Sequence, residues 1–307
     1  MSREKVNATR KQNLGGFLYS QKIAPYVFVL PFIISFLVFF LASVIQTIYM
    51  SFHRVWAVDY MVFVGLNNYV RLNNIHFFNA FRNSTIYMIL CVITLIPFSV
   101  ILAVLLDSKF IHGRNLFRAI FFIPALTSVI VAGVAFRLIF GVLPSALANS
   151  FLVFLGIQPV DWVLNLWSSF VLLLSLTTWR ITGIYMVYFL SALQVIPNEL
   201  YESADIDGAG VFSKFFRITL PLIKPTAVYV LTLVIFEGFR MFSESWVFWP
   251  DANPGGIGLT ITRYIYLEAF RQNDMGFGSA IGITMLLIVL IINLIQLKSF
   301  GLFRKET

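Results

Sequence analysis

Six stretches of this chain stay apolar for about 20 residues or more, the length needed to cross the hydrocarbon of a bilayer. They lie near residues 26–49, 84–106, 119–140, 167–193, 226–249 and 276–297. No other feature constrains the fold as strongly. In hydrocarbon every backbone amide and carbonyl must find its partner inside the protein, so a spanning segment is a helix or a strand of a closed barrel. The residue-by-residue alternation of a barrel strand is absent, which predicts an all-α polytopic membrane protein of about six spans. Composition agrees: of 307 residues, 59% are apolar and 12% charged, against about 45–50% and about a quarter in soluble domains. The first run is too long for a signal-peptide core and lacks a small-residue cleavage site, so a retained helix is expected there. Pro31, Pro97 and Pro124 fall inside predicted spans, where proline removes one backbone bond and bends the helix.

Charge orients the spans. A formal charge of +8 would suggest nucleic-acid binding in a soluble chain; here the basic residues flank apolar segments, and no nucleic acid is expected. With the N-terminus inside, the inner segments carry Arg3, Lys5, Arg10, Lys11, Lys22, Lys109, Arg114, Arg118, Lys214, Arg217, Lys224, Lys298, Arg304 and Lys305. The outer loops carry Arg54, Arg71, Arg82, Arg263 and Arg271, while Arg137, Arg180 and Arg240 remain within spans. That bias places both termini in the cytoplasm, with Arg137 snorkelling at the outer end of the third span. The expected partition is a cytoplasmic segment at 1–25, a membrane domain at 26–298 and a cytoplasmic tail at 299–307. Cys91 is the lone cysteine, and His53, His76 and His112 are scattered, so neither a disulfide nor a metal site is expected. The outer loop 142–166 holds no Lys or Arg, and Asp251-Ala252-Asn253-Pro254-Gly255-Gly256 reads as turns.

The inner loop between the fourth and fifth spans has its own chemistry. Pro197 suits a first helical position. Glu199 and Glu202 suit the first turns, where the helix dipole favours negative charge. Gly208 and Gly210 then supply the permissive backbone that ends a helix and turns the chain. A second short amphipathic piece follows, with Phe212, Phe215, Phe216 and Ile218 near one side, halted by Pro221 and Pro225. Pattern alone leaves two readings open, a knob that fits a cleft on a soluble partner and an amphipathic connector lying on the membrane.

Residues 197–225 resemble the "EAA" loop of ABC-importer permeases, whose pattern runs EAA-x-x-D-G-A and then F-x-x-I-x-L-P-x-x-x-P. Glu202, Ser203 and Ala204 match its first part, with serine for one alanine; Asp207, Gly208 and Ala209 match its second. Phe215, Ile218, Leu220, Pro221 and Pro225 match the rest. The resemblance extends over nearly the whole chain. Pro25-Tyr26-Val27-Phe28-Val29-Leu30-Pro31, Phe63-Val64-Gly65-Leu66-Asn67-Asn68-Tyr69, the stretch from Arg114 to Pro124 and Met275-Gly276-Phe277-Gly278-Ser279-Ala280 are similar to sugar permeases of the maltose/glycerol-phosphate importer group. Relatives carry Gly-Gly-Gly-Pro after the fifth span where this chain has a different order from Trp249 to Gly256, so a differently shaped outer mouth is expected. The resemblance implies a type I ABC-importer permease fold, with five core spans after an extra first helix. It implies that loop 197–215 is the coupling helix docking into an ATPase subunit through Glu202, Ser203, Ala204, Asp207, Gly208 and Ala209. It also implies the partners: a second homologous permease, two cytoplasmic ATP-binding subunits that use ATP and Mg, and an extracytoplasmic sugar-binding protein. In this chain no G-x-x-x-x-G-K-[ST] loop appears and no nucleophile–base pair stands out, so a non-catalytic subunit binding no cofactor of its own is expected.

Charges inside spans are costly, about 2.5–3.5 kcal/mol each on insertion scales, and are functional candidates by default. Glu237, Arg240 and Glu244 follow one another at spacings of three and four, which puts them near one face of a continuous helix. Arg180 on the fourth span lies at a depth comparable to Glu237, so a cross-helix pair between these two is geometrically feasible. One reading makes Arg180, Glu237, Arg240 and Glu244 the lining of a translocation cavity for a di- or oligosaccharide, with Tyr185, Tyr188 and Trp246, and also Trp179 and Phe239, as stacking faces. The other makes the charged trio a self-satisfied salt bridge that sets helix packing. Glycerol phosphate or another polar solute is the alternative cargo, and an ion-coupled secondary carrier using the same carboxylates the alternative class; two acids against two arginines disfavour phosphate.

Overall fold

The computed structural model describes residues 24–57, 60–108, 111–250 and 254–301. Arg3, Lys5, Arg10, Lys11, Lys22, Lys109, Arg304 and Lys305 of the charge count, and Asp251, Ala252 and Asn253 of the outer turn, lie outside the described residues. Long apolar helices dominate, as their composition requires. They are α1 (Ala24–Ser51), α2 (Ile75–Asp107), α6 (Leu166–Leu193), α9 (Lys224–Arg240) and α12 (Met275–Ser299). Between them run α3 (Arg114–Leu126), α4 (Val129–Ile139), α5 (Leu147–Phe154), α7 (Asn198–Ile206), α8 (residues 211–222), α10 (Ser243–Phe248) and α11 (residues 261–271).

The centre is a trio. α2 packs along α6 and α9, burying Leu172, Leu176, Met186, Phe189, Val230 and Val234. A second cluster joins the outer half of α2 to α9, α11 and α12 through Ala80, Phe239, Ile261, Phe277 and Ile281. α1 lies at the periphery: residues 25–43 are all exposed, and only its C-terminal part packs on α12. Pro31 interrupts its ladder, and a π-helical turn, Phe36–Leu41, follows, a common site of helix bending.

Two expected spans are not single helices. α3 and α4 meet at an angle of 98°, because Pro124 lies in a tight 3-10 turn, Ile123–Leu126, and Thr127 is extended. α3 then lies across α6, where Gly183 admits it: a Cβ there would come within 1.9 Å of the Phe121 carbonyl oxygen. The fifth span breaks after Arg240, with Met241 and Phe242 both outside helical geometry. Hydroxyls of Thr260 (2.8 Å) and Thr262 (2.5 Å) donate to the Met241 carbonyl, which meets the requirement that a broken helix in a membrane protein re-satisfy its backbone.

The connections between the long helices carry structure that periodicity did not announce. β1 (His53–Ala57) and β2 (Tyr60–Phe63) form an antiparallel hairpin. Buried Asn68 pins its base by donating to the carbonyls of Ser51 and His53 at 2.9 and 3.0 Å. In the loop free of Lys and Arg, buried Asn149 of α5 donates to carbonyls including Gly141 (3.1 Å) and Val160 (3.1 Å) and accepts from Trp162 Nε1 (2.9 Å). Gly255 and Gly256 have positive φ, as a turn there demands. Arg263, counted above among loop charges, is 2% exposed and donates to Ser245 and Trp249 carbonyls. The Arg137 guanidinium donates to the Val247 carbonyl at 3.2 Å, tying α4 to α10.

Candidate functional site

A cavity of about 300 Å³ opens between α2, α6 and α9. Arg180, Tyr185, Tyr188 and Glu237, all named from sequence, line it. Arg180 Nη1 reaches Glu244 Oε1 at 3.2 Å, with the two side chains 20% and 16% exposed. The expected partner of Arg180 was Glu237. The break after Arg240 explains the change, because it takes Glu244 off the face of α9 and turns it toward α6. Glu237 faces the cavity but pairs with Arg240 at 3.6 Å on a largely exposed surface. Both opposite-charge pairs leave the site without a net charge. The Nε of Arg180 is buried with no hydrogen-bond partner among the described residues.

Among the lining residues with a hydroxyl or thiol, Tyr87, Cys91 and Thr177 escaped the sequence reading. Tyr87 and Thr177 share a hydrogen bond of 2.6 Å between their hydroxyls. Their signal was present but faint. Tyr87 and Cys91 stand four apart on α2, and Thr177 stands three before Arg180, so each pair shares a helix face. Of the other stacking candidates, Phe239 is buried in the second core cluster and Trp179 packs on Phe136 at 5.6 Å. Trp246 stacks with Phe242 (5.7 Å) and Tyr266 (5.1 Å), away from the cavity lining. Arg240 points outward over Phe236.

The loop between α6 and α9 forms the two short helices expected, with corrections at its prolines. Pro197 is the N-cap of α7 and not its first residue, and α8 runs through Pro221 to Leu222; Pro225 instead opens α9. α7 ends at Gly208, whose φ of 73° is left-handed. The Ala209 amide donates to the Ala204 carbonyl at 2.8 Å and the Gly208 amide to Asp205 at 3.1 Å, closing the helix end in the manner of a Schellman turn. Two side-chain contacts join the arms, the Lys214–Asp205 ion pair and the Tyr201–Thr219 hydroxyl contact of 2.9 Å. Phe215 turns inward against the core while Phe212 points out, so the aromatic residues do not share one side. Ile206, Val211 and Phe212 are 88%, 82% and 81% exposed, an apolar tip beside the exposed Glu202, Ser203, Asp207 and Gly208; Ala204 and Ala209 are half-buried behind them.

On the opposite side, a polar pocket sits between the start of α2, the turn at Gly255–Gly256 and α11. Glu268 lies in it, and burial raises its carboxyl above the ordinary range against the opposing pull of Arg71.

Residues 78–298 match the sequence model of a family described as "Binding-protein-dependent transport system inner membrane component". The chain is 49% identical over 300 residues to the arabinooligosaccharides transport system permease protein AraP of Halalkalibacterium halodurans, covering 98% of this chain and 95% of that protein. It is 32% identical over 293 residues to the trehalose/maltose transport system permease protein MalF of Thermococcus litoralis, covering 94% and 97%. In fold it is similar to a chain of a bacterial ABC transporter involved in the import of the acidic polysaccharide alginate. That match has a TM-score of 0.81 at 23% identity and covers 95% of this chain and 100% of the other.

Proposed function

Since this chain belongs to the family of binding-protein-dependent transport system inner membrane components, we propose that it is the permease subunit through which a neutral oligosaccharide, rich in arabinose, enters a bacterial cell. The observation that carries the substrate class is the lining of the cavity between α2, α6 and α9. Its charges are paired, its hydroxyls come from Tyr87, Thr177, Tyr185 and Tyr188, and one Arg180 donor is unused. An uncharged polyol can both donate to and accept from such groups. A phosphate or a uronate would need a surplus of positive charge that Glu244 removes. The similarity to arabinooligosaccharide permeases supplies the sugar.

Energy comes from elsewhere in the assembly. In this reading residues 26–298 form the permease domain, a second similar permease completes the channel, and both termini and loop 197–215 face the cytoplasm. Two ATP-binding subunits, using ATP and Mg, receive the knob through Glu202, Ser203, Ala204, Asp207, Gly208 and Ala209. Their closure on ATP biases the helices from inward-open to outward-open, and an extracytoplasmic binding protein delivers the sugar. Reconstitution of the full assembly tests this. Arabino-oligosaccharides should stimulate ATP hydrolysis only with the binding protein present, and Gly208→Asp or Glu202→Lys should abolish the stimulation. Uptake driven by an ion gradient and indifferent to both substitutions would overturn the reading.

A further inference from the structure

Asn79, Asn83, Tyr87, Cys91 and Leu95 recur every four residues along α2; each successive pair shares a face, and the row winds around the helix by about 40° per step. Tyr87, Cys91 and Leu95 line the deep cavity, and Asn79 lines the outer pocket of about 560 Å³. Eight residues of helix separate Asn79 from Tyr87, a rise of about 12 Å. Asn83, between them, is buried and donates to the carbonyls of Gly256 (2.7 Å), Ile257 (3.2 Å) and Leu259 (3.0 Å). It holds that loop at the level between the two spaces.

We propose that the outer pocket is a second carbohydrate subsite, taking the part of an oligosaccharide that the deep cavity has no room for. This rests on the reading of the deep cavity as a sugar site. At about 300 Å³ the part of that cavity contributed by this chain stands at the floor of the range of roughly 300–1,000 Å³ for ligand pockets, and along this chain a longer sugar extends beyond it. The outer lining has the chemistry to receive the rest. Asn79 and Gln272 offer carboxamides, Glu268 a carboxyl, and Tyr264 and His76 ring faces. Carboxamides donate and accept at once, as vicinal hydroxyls do, whereas a lysine or arginine of a docked protein is donor only and would leave their amide groups unused. Among the described residues the lining holds no Lys or Arg, and burial favours the protonated Glu268 carboxyl; both suit an uncharged ligand.

The test compares arabinobiose with arabinopentaose as cargo of the reconstituted importer at saturating sugar-loaded binding protein. Glu268→Ala, Asn79→Ala and Gln272→Ala should each lower the pentaose-to-biose ratio of transport rates, by about tenfold for the most affected, the upper scale of one lost hydrogen bond. Thermal midpoints in detergent identify any variant that misfolds, and the exposed Gln272 provides a substitution that folding tolerates. An unchanged ratio in all three variants overturns the subsite. So does an equal loss for both sugars together with a higher requirement for binding protein, which would assign the pocket to protein docking. If Arg180→Ala leaves transport of both sugars intact, the deep-cavity reading itself fails, and the two failures are thereby told apart.

Discussion

Arg180 and Glu244 bring the two readings of the intramembrane charges into one contact. The pair at 3.2 Å sets helix packing, since it ties α6 to α10, and it also borders the cavity. Removing one partner strands the other charge in a half-wet space. Arg180→Met should therefore lower stability by about 1–3 kcal/mol, a partly exposed version of the roughly 3–5 kcal/mol for a fully buried pair. Arg180→Met with Glu244→Met should recover most of that loss while leaving transport abolished. Thermal unfolding in detergent alongside uptake checks both halves; restored uptake in the double variant would make the pair purely structural. The candidate residues were legible because ionisable groups are rare in apolar runs. Their pairing was not, because spacing arguments assume an unbroken helix, and nothing local to Arg240-Met241-Phe242-Ser243 announces a break whose carbonyl is satisfied by threonines about twenty residues later.

At the scale of elements, close approach and rigidity matter more than charge. α3 can lie against α6 only where Gly183 presents bare backbone to Phe121. Gly183→Ala should cost at least the ~1–3 kcal/mol typical of overpacking and displace α3, seen as a lower thermal midpoint and faster proteolysis near residue 113. The two arms of loop 197–215 predict the opposite pattern. Asp205–Lys214 is a partly exposed pair, worth about 0–1 kcal/mol, so Asp205→Ala should leave the thermal midpoint nearly unchanged. It should nevertheless raise the ATP hydrolysed per sugar imported, because the second arm would no longer move with the first; an unchanged ratio would show that the Tyr201–Thr219 contact suffices. Both arms and the turn at Gly208 could be read from sequence, since caps and glycines act locally. The hairpin after α1 could not, because its strands are short and are held by Asn68 from beyond the second strand.

For the molecule as a whole, the count of crossings decides orientation. Among the described residues five helical segments, counting α9 with α10 as one, are long and apolar enough to span, and the bent α3–α4 pair adds a sixth where it crosses as one span. An even count returns both ends to one side; a pair that enters and leaves on the same face would put them on opposite sides. In a Cys91→Ser background, His112→Cys, just before the bent pair, should react with an impermeant thiol reagent only from the cytoplasmic side, and Ser145→Cys, just after it, only from outside. Labelling of both from one side would reduce the crossings to five. Composition made the membrane class and the strong helices legible, and Pro124 marked the place of the bend, while the seat that receives the bent segment is a slot at Gly183, encoded some sixty residues later.

That slot also bears on how the chain is made. The two legs of the bend, residues 114–126 and 129–139, rise only about 20 and 16 Å against hydrocarbon about 30 Å thick. As they leave the ribosome, neither is long enough to settle across the bilayer unaided. Gly183 has not yet been synthesised when Phe121 emerges. The pair must therefore wait, sheltered by the insertion machinery, until α6 arrives, and a nascent chain halted near residue 160 would leave this part of the protein without its seat.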